Sequence, residues 1–138
     1  MALQWTPKMS VGNEVIDQDH QRLVTLINET EAALRSSDRN AVLNALDELA
    51  QYGLMHFETE ERIGRAAGCP GMDGMHSSHQ KLNEQLNHCR DDIEARWGQD
   101  IADEVVALLR AWLVDHVIHE DLKMRPWLLK QALNFSAA

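Results

Sequence analysis

Apolar residues recur along the chain at steps of three, four and seven, the spacing that lines one face of an α-helix, and nowhere in the alternating pattern of a strand. Ile16, His20, Leu23, Ile27 and Leu34 share one stripe and predict a first helix over about residues 15–34. Ser36, Ser37 and Asp38 interrupt it and offer an N-cap for the next. Val42, Leu46, Leu49, Gly53, His56 and Glu60 predict a second helix over about residues 39–63. The glycine-rich run GCPGMDG, residues 68–74, is the clearest break. After it, His79, Leu82, Leu86, Cys89 and Ile93 fall in phase on a third helix ending near Trp97 and Gly98. Ile101, Val105, Leu108, Trp112 and His116 mark a fourth, starting near Asp100. Four helices of roughly 20 residues, each ~30 Å long and joined by short connections, predict an all-α, up-down-up-down four-helix bundle. The expected organisation is a single domain over residues 1–138. It comprises an N-terminal arm of about residues 1–14 that packs through Trp5, a bundle of about residues 15–130, and a frayed tail after Lys130.

Composition narrows the classes. With 44% hydrophobic and 25% charged residues in 138, the chain can bury a real core and is not of disordered type. A net charge of −9 without a cluster of Lys and Arg argues against a nucleic-acid partner. No apolar run reaches membrane-spanning length, so no membrane partner is expected. The opening MALQWTPKMSVGNEVID lacks the basic-then-apolar pattern of a secretory leader. Cys69 and Cys89 have neither a disulfide framework nor metal-pair spacing and read as reduced thiols, so a cytoplasmic location is expected.

The histidines change the picture most. A lone histidine on an apolar stripe is usually a structural residue. Here every predicted helix carries one on its stripe: His20, His56, His79 and His116. His56 and Glu60 are four apart, about 40° of helix rotation, so both can face one centre, while Glu61 can face water. In WLVDHVIHEDLK, His116 is followed by Asp121. Buried carboxylates need compensation, and no Lys or Arg lies in phase with these two. Alternatively, Glu60 and Asp121 face outward and the histidines bond to backbone; the inward phase of Glu60 speaks against this. Imidazole and carboxylate without thiolate suit iron, manganese or zinc better than copper(I) or an iron–sulfur cluster.

With these residues in view, the chain resembles the hemerythrin family, in its bacteriohemerythrin branch, from Trp5 to about Met124. The resemblance rests on VGNEVIDQDHQRLVTLIN around His20, HFETEE from His56 to Glu61, a GCP turn where the family usually has Gly-Tyr-Pro, HQKL at His79, and WLVDHVIHED. It implies two iron ions (Fe2+/Fe3+), joined by an oxo or hydroxo group and two carboxylates, with five histidines and an open position for dioxygen. Carried over, His20 and His56 belong to one iron, His79 and His116 to the other, and Glu60 and Asp121 are the bridges; Glu120, four residues after His116, rivals Asp121. The family's third helix begins with two histidines four apart. His79 matches the second, but the position of the first is Met75, with His76 beside it. His76 is the favoured ligand, because residues three apart share a helix face. Met75, a soft thioether donor, His119 and water are the alternatives. Leu113, Val117, Trp112 and Ile27 match an apolar oxygen pocket. The implied function is reversible dioxygen binding for carriage, storage or delivery, without catalysis. The alternatives are a redox or oxygen sensor with a protein partner or fused signalling domain, and a di-iron oxidase or peroxidase.

Overall fold

The computed structural model describes residues 2–137, the side chains of Val117 and Ile118 excepted. Its main elements are α1 (Glu14–Arg35), α2 (Arg39–Ala66), α3 (Met72–Ala95) and α4 (Gln99–Leu113). A π-helical segment (Val114–Glu120), a 3-10 turn (Asp121–Met124) and a one-turn α5 (Arg125–Leu128) prolong α4. The expected all-α four-helix bundle is what the chain forms, with no strand among the described residues.

Local chemistry sets the boundaries. The Asn13 side chain accepts from the Ile16 N–H and Glu14 and Asp17 occupy the first turn, both favourable at a helix N-terminus. Asp38 caps α2 in the same way through the Ala41 N–H, as the sequence predicts. The glycine-rich break is shorter than expected: α3 begins at Met72, inside it. Gly68 and Gly71 complete the reversal at φ +81° and +74°, a region that favours glycine. Met72 and Met75 are then free to turn inward on the first helical turn, where both are buried.

Two apolar clusters fill the bundle. The larger joins residues of all four long helices, including Leu23, Ile27, Leu46, Leu49, Leu86, Ile93, Leu109 and Trp112. Fully burying one such side chain stabilises the fold by roughly 1.5–3 kcal/mol. The smaller joins Val11, Ile16, Ile63, Cys69, Met72, Met75, Met124 and Leu128 at the other end. Gly64 permits the close approach there, since a Cβ on it would lie 2.5 Å from the Met72 methyl and 2.8 Å from that of Met124.

Both chain ends are tied down. Leu3 exchanges backbone hydrogen bonds of 2.9 Å with the Asn28 side chain, and Trp5 packs against the larger cluster. The tail is not frayed as expected: the Leu133 carbonyl accepts from the Glu14 N–H at 2.7 Å, and that of Phe135 from the Asn13 side chain at 2.7 Å. The N-terminal turn of α1 supplies donors that no helical bond uses, and the tail satisfies one of them. No helix among the described residues is long and apolar enough to cross a membrane.

Candidate metal centre

The histidines form a polar layer between the two clusters. On α1, His20 lies between Ile16 of the smaller cluster and Leu23 of the larger. On α2, His56 and Glu60 lie between Leu49 and Ile63, and on α3 His79 lies between Met75 and Leu86. His116 and Asp121 complete the layer beyond α4, between Leu113 and Met124. All six side chains are buried.

Their ligating atoms converge in two groups. His20, His56, Glu60 and Asp121 form one; Glu60, His79, His116 and Asp121 form the other. The two oxygens of Glu60 divide between them. Its Oε2 is 3.2 Å from His20 Nε2 and 2.9 Å from His56 Nε2, while its Oε1 is 3.2 Å from His79 Nε2 and 3.3 Å from His116 Nε2. Asp121 Oδ2 closes the opposite side, 2.9 Å from His20 Nε2 and 3.2 Å from His116 Nε2.

The last contact depends on the local helix type. Five positions on an α-helix are separated by about 140°, so His116 and Asp121 would diverge. The Asp121 N–H instead donates to the His116 carbonyl, closing a wider, π-type turn that returns Asp121 to the same face. Glu120, the α-helical choice, is turned outward, with Oε2 3.8 Å from His116 Nδ1 and Oε1 accepting from Ser78 Oγ at 3.3 Å.

The donor set fits a pair of hard or borderline cations. His20 and His56 face each other through Nε2 at 3.1 Å, as do His79 and His116 at 3.3 Å. Asp121 Oδ1 is buried with no hydrogen-bond partner among the described residues while Oδ2 faces the imidazoles of His20 and His116, and a buried carboxylate so placed costs free energy unless a cation faces it. The surrounding imidazoles are biased towards their protonated forms. Burial pushes His20 down, but hydrogen bonds with Asp121 and Glu60 outweigh it and leave His20 raised. Burial acts likewise on His56, which the Glu60 charge and the Asp19 hydrogen bond carry up to about 9. His116 is raised well above the usual range against its burial, by the charge and hydrogen bond of Asp121. Burial pushes Glu60 up, but the charge of His56 and hydrogen bonds from His116, His20 and His56 hold it well below the usual range.

Outer carboxylates orient the imidazoles. His56 Nδ1 donates to Asp19 Oδ2 at 3.1 Å, and the other Asp19 oxygen accepts from the Tyr52 hydroxyl at 2.9 Å. His79 Nδ1 donates to Glu61 Oε2 at 2.8 Å. Phe57 stacks on His79 at 4.0 Å between ring centroids, and the Trp112 ring lies nearly parallel to His116 at 6.4 Å. Sequence reasoning missed Asp19 and Tyr52, and it turned Glu61 to water. The available signal was a carboxylate adjacent in sequence to a buried ligand candidate, in QDH and TEE.

Of the expected residues, His20, His56, Glu60, His79, His116 and Asp121 come together. His76, the favoured seventh, does not: its side chain is 52% exposed and donates to the second oxygen of Glu61 at 2.6 Å. The first turn of α3 forms without distortion, so nothing rotates His76 inward. Met75 is buried in the smaller cluster instead. His119 is 67% exposed, with Asp115 at 4.0 Å. Trp112 lines a cavity of about 310 Å³ that reaches His116, while Leu113 and Ile27 are packed in the larger cluster. The side chain of Val117 lies outside the described residues.

Known proteins are similar to this chain in sequence and in fold. Residues 11–128 match the hemerythrin model, described as the hemerythrin HHE cation binding domain. A bacteriohemerythrin of Stenotrophomonas maltophilia is 32% identical over 119 residues, covering 86% of this chain and 76% of that protein. A bacteriohemerythrin of Pseudomonas aeruginosa is 31% identical over 121 residues, with the same coverages of 86% and 76%. In fold, the crystal structure of a leucine-to-tyrosine hemerythrin mutant matches with a TM-score of 0.79 at 24% identity, covering 94% of this chain and 99% of that one. The chain belongs to the hemerythrin family.

Proposed function

We propose that the chain is a non-haem di-iron protein that binds dioxygen reversibly, for carriage, storage or delivery. The observation that carries this reading is the division of Glu60 between two histidine pairs, with a buried Asp121 carboxylate that reaches one histidine of each pair. His20 and His56 would hold one iron, His79 and His116 the other, with Glu60 and Asp121 shared. A pair of irons held by these residues would supply electrons that dioxygen can take up and return.

The protein's part is placement and exclusion of water. Asp19 and Glu61 fix the ring orientation of His56 and His79 and leave their Nε2 atoms facing the centre. Phe57 and Trp112 cover His79 and His116 with apolar surface, which disfavours loss of the bound ligand to solvent. No side chain is required as a general acid or base.

A second reading, a di-iron oxidase or peroxidase, draws on one observation. Met75, at the position where the resemblance expects the first histidine of the third helix, is buried in the smaller cluster, so the second group has two imidazoles and not three.

Iron analysis and an optical spectrum of the purified protein, reduced and then exposed to air, test the proposal. Two irons per chain with charge-transfer bands of an oxo bridge are expected; zinc alone, or a folded protein without metal, would refute it. A dioxygen adduct lasting minutes separates the binding protein from the enzyme, which would instead consume hydrogen peroxide with a reductant.

A further inference from the structure

Beside the metal centre, a cavity of about 660 Å³ opens between the first turns of α3 and residues 120–127. Met75, Met124 and Trp127 line its apolar side. Its polar side holds Ser78, Glu120 and Lys123, and Gly74 leaves room at the floor of the helix. A mainly apolar concavity with a few convergent polar groups is the usual form of a small-molecule site.

We propose that this cavity binds a small neutral aromatic molecule bearing a hydroxyl group, of the phenol type. Thioether sulfurs and an indole favour an aromatic ring over an aliphatic chain of equal area. The polar side carries one negative and one positive group, so an anionic ligand would meet Glu120 and a cationic one Lys123. A phenolic hydroxyl satisfies both: it donates to the Glu120 carboxylate and accepts from Lys123 through its oxygen. Glu120 also faces His116 Nδ1 at 3.8 Å, so occupancy of the cavity bears on the metal centre. Only that coupling rests on the di-iron reading; binding itself needs no metal.

The test is calorimetric titration of the full-length protein, as purified, with 2-naphthol, the iron content of the same sample being measured alongside. One saturable site is expected, with 2-naphthoate binding more weakly. Gly74→Leu is the cavity-filling variant. Gly74 lines the cavity and is helical with φ outside the left-handed region, and a Cβ there meets nothing within 4 Å, so a larger side chain is added at the cavity's edge without a clash at its root. Gly74→Leu and Glu120→Leu should each weaken 2-naphthol about tenfold or more, while thermal melting shows both folded. Absence of saturable binding, or unchanged affinity in Gly74→Leu, would overturn the site. Tighter binding of 2-naphthoate would overturn the ligand class. Saturable 2-naphthol binding by a sample free of iron would uphold the site and refute the di-iron reading alone.

Discussion

Replacing Glu61 with alanine should loosen one iron of the pair and spare the other. In the wild type, Glu61 Oε2 accepts from His79 Nδ1 at 2.8 Å, and the carboxylate is only 15% exposed, so solvent screens the bond weakly. A hydrogen bond to a charged group under such conditions contributes about 1.5–3 kcal/mol. Loss of an orienting partner behind a ligating histidine typically lowers metal affinity about 10–100-fold, which is the same range expressed as an equilibrium constant. The effect should fall on the His79 and His116 group, because His56 keeps its own partner, Asp19, at 3.1 Å. Chelator extraction followed by iron absorbance should then be biphasic, with one iron per chain leaving early and the second leaving at the wild-type rate. Glu61→Gln should lie between, since an amide oxygen still accepts but carries no charge. His76→Ala should leave both phases where they are, as His76 touches only the outer oxygen of Glu61. Uniform acceleration of both irons in Glu61→Ala, or early loss of iron in His76→Ala, would refute the placement of these residues.

Met75→His should add an imidazole beside the second group and slow extraction of the iron held there; an unchanged rate would show that the side chain stays in the smaller cluster. Leu109→Ala, at a fully buried position of α4, should cost about 2–5 kcal/mol in denaturant unfolding, and a loss under 1 kcal/mol would contradict tight packing there. Burial and the charges of Asp92 and Glu104 push the Cys89 thiol up to about 11, so its thiolate grows only as pH rises towards that value. Iodoacetamide should label it far more slowly than free cysteine at pH 7.5, and equal rates would be inconsistent with its placement. Because His20, His56 and His116 are raised in the metal-free centre, loading Fe2+ must expel protons, and apparent affinity should rise with pH through the neutral range. A pH-stat titration that shows no acid release would contradict this.

The bundle was legible because its helices are separated by unambiguous breaks and each repeats its apolar positions with helical period. What escaped were interactions that repetition does not encode. Glu31 reads as one more surface acid of α1, yet it is buried and receives Arg110 of α4 through two bonds of 2.8 and 3.0 Å. The tail beyond Lys130 has no periodicity to announce order, and its docking depends on donors at the start of α1 that only the folded arrangement brings within reach. Glu61 was turned to water because it follows Glu60 by a single residue, about 100° around the helix. In the bundle that direction faces α3, not solvent, and His79 waits there.

The second carboxylate of the centre shows where a helical wheel stops being a guide. By α-helical phase, Glu120 belongs beside His116 and Asp121 belongs elsewhere; the resemblance to hemerythrins pointed to Asp121 all the same. The two are reconciled by a change of backbone, not of side chain. One π-type turn closed by the Asp121 N–H carries the carboxylate around to His20 and His116, and the same turn moves Glu120 out to Ser78. A π turn has poorer backbone geometry than the α turn it replaces, so it persists only where something else stabilises it. Here that role falls to what faces Asp121: the imidazoles of His20 and His116 at 2.9 and 3.2 Å and, on the proposed function, the metal ions they would hold. The segment that looks least regular is therefore the one most directly shaped by the chemistry of the centre.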